Sequence, residues 1–118
     1  MPSSTLSSNA LNYRYKPPKD KHALYWEAKI QLRPLNEELI RIVIAMIDKR
    51  DDVRIARIEL LKTGIDIYLS SRKFAAIIAK RLKLRYKTGK VLVTKQLFSR
   101  SRQTSKDIYR VTVLFRLN

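Results

Sequence analysis

The chain contains no cysteine, which excludes a disulfide framework and any cysteine-ligated zinc or iron–sulfur site and fits a reducing compartment. Glycine occurs only at Gly64 and Gly89. A phosphate-cradling Walker loop, a dinucleotide fingerprint and the two-glycine clamp of a KH domain are therefore all out of reach. The one histidine, His22, has no companion histidine or cysteine, so it reads as a bystander rather than a base or a ligand. The longest strongly apolar run, residues 42–47, falls far short of the roughly 20 residues that span a bilayer. Residues 1–11 are Ser-rich and uncharged, without the basic start and apolar middle of a secretory signal. Acidic residues are also scarce, 10 against 26 Lys and Arg, for a net charge of +16.

That scarcity is most extreme over residues 80–106, which hold ten basic residues (Lys80, Arg81, Lys83, Arg85, Lys87, Lys90, Lys95, Arg100, Arg102 and Lys106) and no Asp or Glu. Packing such a stretch into a compact domain crowds like charges together. An external polyanion is the natural counterweight, and nucleic acid is the commonest, because neutralising its phosphates releases condensed counterions. An anionic membrane would need a basic amphipathic helix with exposed Trp, Phe or Leu, and none is evident.

At 118 residues the chain suits one domain that buries roughly 65% of its extended surface. Residues 1–23 read as a flexible extension, Ser-rich and then basic, and residues 24–118 as a single folded unit. Pro17 and Pro18 favour an extended path for the tail. Its Tyr13, Arg14, Tyr15, Lys16, Lys19 and Lys21 suit either an arm laid on phosphates and bases or a solvated linker.

Within the folded unit, residues 24–33 alternate as a half-buried strand, with Trp26, Ala28, Ile30 and Leu32 on the core face. Pro34 ends it. Asn36 followed by Glu37 and Glu38 reads as the cap of a helix over residues 36–49. A second strand over residues 53–62 changes parity, which a bulge near Ala56 reconciles. Thr63 and Gly64 turn tightly into a third strand at residues 65–69, with Asp66 and Tyr68 facing outward. Ser70 or Ser71 caps a second helix, followed by a strand at residues 90–98, a polar basic loop at 99–107 and a last strand at 108–117. This order is an α+β, ferredoxin-like split βαβ pattern with an extra C-terminal strand: a mainly antiparallel sheet with two helices on one face. The open face is expected to carry Tyr25, Lys29, Arg33, Tyr68, Arg110 and Arg116.

No catalytic constellation emerges, and the chain is read as a non-enzyme. Asp48, Asp51 and Asp52 read as a solvated turn rather than a magnesium site. An RNA-recognition motif shares the strand and helix order, but Gly64-Ile65-Asp66-Ile67-Tyr68 offers one outward aromatic beside an acid, a poor match to its signature. Tyr25 and Tyr68 read better as cross-strand packing. The residues expected to touch RNA are the tail set, with Arg85, Lys87, Lys90, Lys95, Arg100, Arg102 and Lys106.

Three segments in register carry a resemblance. Tyr25-Trp26-x-Ala28-x-x-Gln31-x-Arg33, Gly64-Ile65-Asp66-x-Tyr68-x-Ser70-Ser71-Arg72 and Tyr109-Arg110-x-Thr112-x-x-x-Arg116 resemble the middle region of the nonsense-mediated decay protein three family, the large-ribosomal-subunit export adaptors, especially its archaeal relatives. The resemblance implies association with the large ribosomal subunit. The family's paired Cys-x-x-Cys zinc modules have no counterpart among these residues, so no zinc function is carried over. A single such domain with a basic, tyrosine-containing tail looks more like a small ribosomal protein or a ribosome-bound factor. The expectation is a non-enzymatic rRNA-binding protein of the archaeal ribosome in the cytoplasm, with ribosomal RNA and neighbouring ribosomal proteins as partners. It needs no cofactor, membrane or small-molecule substrate. The alternatives are a transient assembly or translation-regulating factor, and a general nucleic-acid-binding protein.

Overall fold

The computed structural model of the protein describes residues 25–100 and 107–117. In chain order the elements are β1 (Ala28–Arg33), α1 (Glu37–Asp48), β2 (Ile55–Leu61), β3 (Gly64–Leu69), α2 (Arg72–Arg85), β4 (Lys90–Arg100) and β5 (Asp107–Arg116). No helix among the described residues is long and apolar enough to cross a membrane.

Local chemistry sets the helix starts. The Asn36 side chain accepts the backbone N–H of Leu39 at 3.0 Å, and Glu37 and Glu38 sit in the first turn of α1. Ser71 rather than Ser70 caps α2, its Oγ accepting the Phe74 N–H at 3.1 Å. Ser70 instead accepts the N–H of Arg54 at 2.9 Å, tying the start of β2 to the end of β3. Each such cap stabilises its helix by about 1 kcal/mol. Both helices lay their apolar stripes, Leu39, Ile40, Val43 and Ile47 from α1 and Phe74, Ile78 and Leu82 from α2, on one face of the sheet, against Ile30, Leu32, Ile65, Ile67, Val113 and Phe115.

The five strands run in the order β2-β3-β1-β5-β4. β2 with β3, β3 with β1, and β4 with β5 are antiparallel, while β1 and β5 are parallel. The register between β2 and β3 shifts between Ile55 and Arg57, the bulge anticipated at Ala56. The extra strand is not added at an edge: β5 inserts beside β1 and displaces β4 outward. The residues explain the exchange. β5 points Val111, Val113 and Phe115 at the helices, the last two fully buried. β4 would place Lys95 in the same row, and a lysine is costly in a central, covered strand.

Gly64 opens β3 where the tight turn from β2 lies against β1. A Cβ there would press into the Leu32 carbonyl and come within 2.8 Å of the Arg33 side chain. Gly64→Ala is therefore expected to cost about 2–3 kcal/mol, as overpacking against a backbone that cannot yield does. Equilibrium urea unfolding measures it.

Candidate nucleic-acid interface

The α2 sequence holds six basic residues and no acid. Burial of Phe74, Ala75, Ile78, Ala79 and Leu82 turns the remaining arc outward, so Lys73, Lys80, Arg81, Lys83 and Arg85 are exposed. Lys83 and Arg85 fall in the last turn, where the negative end of the helix dipole offsets part of their mutual repulsion. The turn into β4 is held firmly. Gly89 is buried against the Phe115 ring, Lys83 Nζ donates to the Gly89 carbonyl at 2.9 Å, and Tyr86 packs on Phe115 at 5.8 Å between ring centroids. The Tyr86 hydroxyl donates to Glu38 at 3.0 Å. Burial, reinforced by that carboxylate, raises the phenol above its ordinary pKa. This anchored turn presents Arg85, Lys87 and Lys90 together to solvent, and the β4–β5 register sets Lys90 beside Arg116.

Among the described residues, five acids are paired away from this cluster, while Glu38 lies beside it on Tyr86. Glu27 pairs with Arg72, Glu37 with Arg41, Asp52 with Arg50, Glu59 with Arg57, and Asp66 with Arg33 and Lys29. The basic side chains from Lys80 to Lys95 enter none of these pairs. Asp52, one of the three acids at the end of α1, is held by two hydrogen bonds from Arg50, which lower its carboxyl pKa.

Lys95 stands apart from the cluster. It lies on the helix side of β4, opposite Val111, with its ammonium 4.2 Å from the Tyr109 ring centroid. Arg100 ends β4, about 33 Å of extended strand beyond Lys90. Tyr13, Arg14, Tyr15, Lys16, Lys19, Lys21, Arg102 and Lys106 lie outside the described residues.

The face of the sheet away from the helices differs from expectation in three ways. Asp66 and Tyr68 do point to it but are covered, 3% and 7% exposed. Asp66 receives Arg33 at 2.7 Å and Lys29 at 3.6 Å, and Tyr68 lies between Lys29 and Arg57, each 5.3 Å from its ring centroid. Trp26 is not part of the core. Its ring meets the edge of Tyr68 at 4.9 Å, because strand alternation breaks at Glu27, whose carboxylate turns to accept the Arg72 N–H at the start of α2 at 3.2 Å. Tyr25 then belongs to that corner rather than to the open face, donating its hydroxyl to Glu27 at 3.1 Å. Burial, with the Glu27 charge behind it, raises the Tyr25 pKa.

Arg110 completes this face in a way the sequence did not signal. Its guanidinium is sandwiched 3.7 Å from the Trp26 ring and 3.6 Å from the Phe98 ring, and Nε donates to the Trp26 carbonyl at 3.1 Å. Desolvation lowers its pKa below that of a free guanidinium. With Trp26, Tyr68 and Phe98 already engaged by the protein's own cations, this face is not arranged as a free base-stacking platform. Arg110→Ala is expected to shift the emission of Trp26, the only tryptophan, to longer wavelength as water reaches the ring, and to cost about 1–2 kcal/mol of stability.

The fold and its surfaces define a small α+β module with an open, mainly antiparallel sheet, whose exposed chemistry is cationic and concentrated at the junction of α2 and β4. The family model for the second domain of NMD3, the nonsense-mediated decay protein three, matches residues 25–117, and the chain belongs to the NMD3 family, which is associated with the ribosome and its large subunit. No curated protein matches it.

Proposed function

We propose that the chain is a non-enzymatic rRNA-binding protein held stably on the large ribosomal subunit in the cytoplasm. The observation that carries this reading is the acid-free run from Lys80 to Lys90, whose exposed basic side chains enter none of the ion pairs found among the described residues. A surface of this kind gains affinity by releasing counterions from a phosphate backbone. Contacts from α2 and the following turn position the protein on RNA without reading its bases. Membership of a ribosome-related family supports ribosomal RNA as the polyanion. It also favours a second reading, a factor that visits the large subunit during assembly and leaves.

Fluorescence anisotropy with labelled fragments of large-subunit rRNA, small-subunit rRNA and duplex DNA, each across a salt series, tests the RNA claim. Tighter binding to a large-subunit fragment at every salt concentration is the expected result. Equal affinity for all three would make the chain a general nucleic-acid coat.

A further inference from the structure

We infer that β4 is a docking strand for an extended segment of another protein, one that presents an acidic residue between two apolar pairs. This goes beyond the RNA-binding reading and does not depend on it.

Among the described residues the sheet order leaves β4 at an edge, paired with β5 only. Edge strands ordinarily protect themselves by being short, by carrying Pro or charge, or by twisting away at a bulge. The opposite edge follows that practice: β2 has 7 residues, a bulge at its start and the Arg57–Glu59 ion pair. β4 follows it only in part, with Lys90, Lys95 and a register shift between Leu97 and Ser99. It is 11 residues long, has neither Pro nor Gly, and exposes Leu92 (61%), Val93 (54%), Leu97 (60%) and Phe98 (46%). A strand of that length and apolarity presents backbone donors and acceptors with side-chain purchase on both sides, the requirements for strand addition.

The order of residues says what fits. Leu92-Val93-Thr94-Lys95-Gln96-Leu97-Phe98 reads as two apolar residues, a polar one, a lysine, a polar one and two apolar residues, the same pattern in either direction. The pairing with Val113, Val111 and Tyr109 puts Val93, Lys95 and Leu97 on one face. Leu92 lies opposite Leu114 on the other face, where Phe98 stacks on Arg110. An antiparallel partner strand therefore meets apolar side chains at both ends and an ammonium at the centre. A second copy of β4 would match the ends, but it would set Lys95 against Lys95 between two chains of net charge +16, and like charges directly opposite are destabilising. RNA would satisfy Lys95 and leave four apolar side chains in water. An Asp or Glu at the centre of a partner segment with the same apolar ends satisfies every position.

The test uses the full chain, labelled with nitrogen-15, and two synthetic peptides, Ile-Val-Thr-Glu-Thr-Val-Ile and the same peptide with Lys at its centre. The Glu peptide is expected to shift the amide resonances of β4 and to bind at least about ten-fold more tightly than the Lys peptide. Lys95→Glu is expected to reverse that preference. Val93→Lys combined with Leu97→Lys is expected to remove binding of the Glu peptide while the rest of the amide spectrum stays native, since both side chains are exposed. No shift with either peptide, equal affinity for both, or shifts confined to α2 would overturn the proposal. So would sedimentation equilibrium showing a dimer that Leu97→Lys dissolves, which would make a second copy the occupant. A short oligouridine that shifts the β4 amides and displaces the Glu peptide would give the edge to nucleic acid instead.

Discussion

Replacing Asp66 with alanine is expected to lower stability by about 3 kcal/mol in equilibrium urea unfolding at neutral pH, with no change in the slope of the transition. The carboxylate is 3% exposed at the centre of β3. Arg33, its closest partner at 2.7 Å, is committed by two further hydrogen bonds, from Nη1 to the carbonyls of Leu32 at 3.0 Å and Ile65 at 3.1 Å. Removing the anion leaves that guanidinium, whose side chain is only 15% exposed, fixed in place without a counterion. Breaking a buried pair from one side costs about 3–5 kcal/mol. The lower end applies because Lys29, at 26% exposure, can turn to water. Replacing the whole cluster with Lys29→Met, Arg33→Met and Asp66→Leu should recover much of the loss, because apolar side chains of similar volume need no compensating charge. A loss below about 1 kcal/mol for Asp66→Ala would mean that water reaches the pair freely.

The second large effect is on binding. Arg85→Gln, Lys87→Gln and Lys90→Gln together should weaken rRNA affinity roughly a hundredfold near 0.1 M salt, on the basis of about 1 kcal/mol for each phosphate contact in water. The salt dependence should flatten by about 2–3 in the slope of log K against log salt. All three side chains are exposed and enter none of the ion pairs, so the unfolding midpoint should stay where it was. Lys95→Gln is the internal comparison: on the other face of β4, beside Tyr109, it should change RNA affinity much less. Anisotropy on one rRNA fragment across a salt series gives both quantities, and equal effects from Lys95→Gln and from the triple variant would contradict the placement of the interface.

Much of the fold is written in local patterns. The alternation of Ile30 and Leu32 with Gln31, the Asn36 cap and the parity change at Ala56 each act over a few residues, so each was legible, while the second cap was narrowed to Ser70 or Ser71. What escaped notice depends on contacts from far along the chain. Trp26 left the core because Glu27 is recruited by the backbone of Arg72, 45 residues away. Asp66 and Tyr68 have the outward parity expected of them, yet the long side chains of Lys29, Arg33 and Arg57 fold over them, and alternation alone says nothing about such cover. The place of β5 was settled by competition for the central position, in which Val113 and Phe115 displaced a strand carrying Lys95. The basic run was plain in the sequence, but only the structure shows five of the acids paired with other cations.

A stable place for this chain on the large ribosomal subunit is tested most directly by native sedimentation. Lysate is resolved on gradients at rising salt, and the chain is quantified in free-subunit, whole-ribosome and soluble fractions. The predicted result is about one copy per large subunit, in translating ribosomes as well as free subunits, persisting through a high-salt wash. Confinement to free or immature large subunits with ready loss in salt would assign it to assembly instead, and absence from every ribosomal fraction would contradict the claim outright.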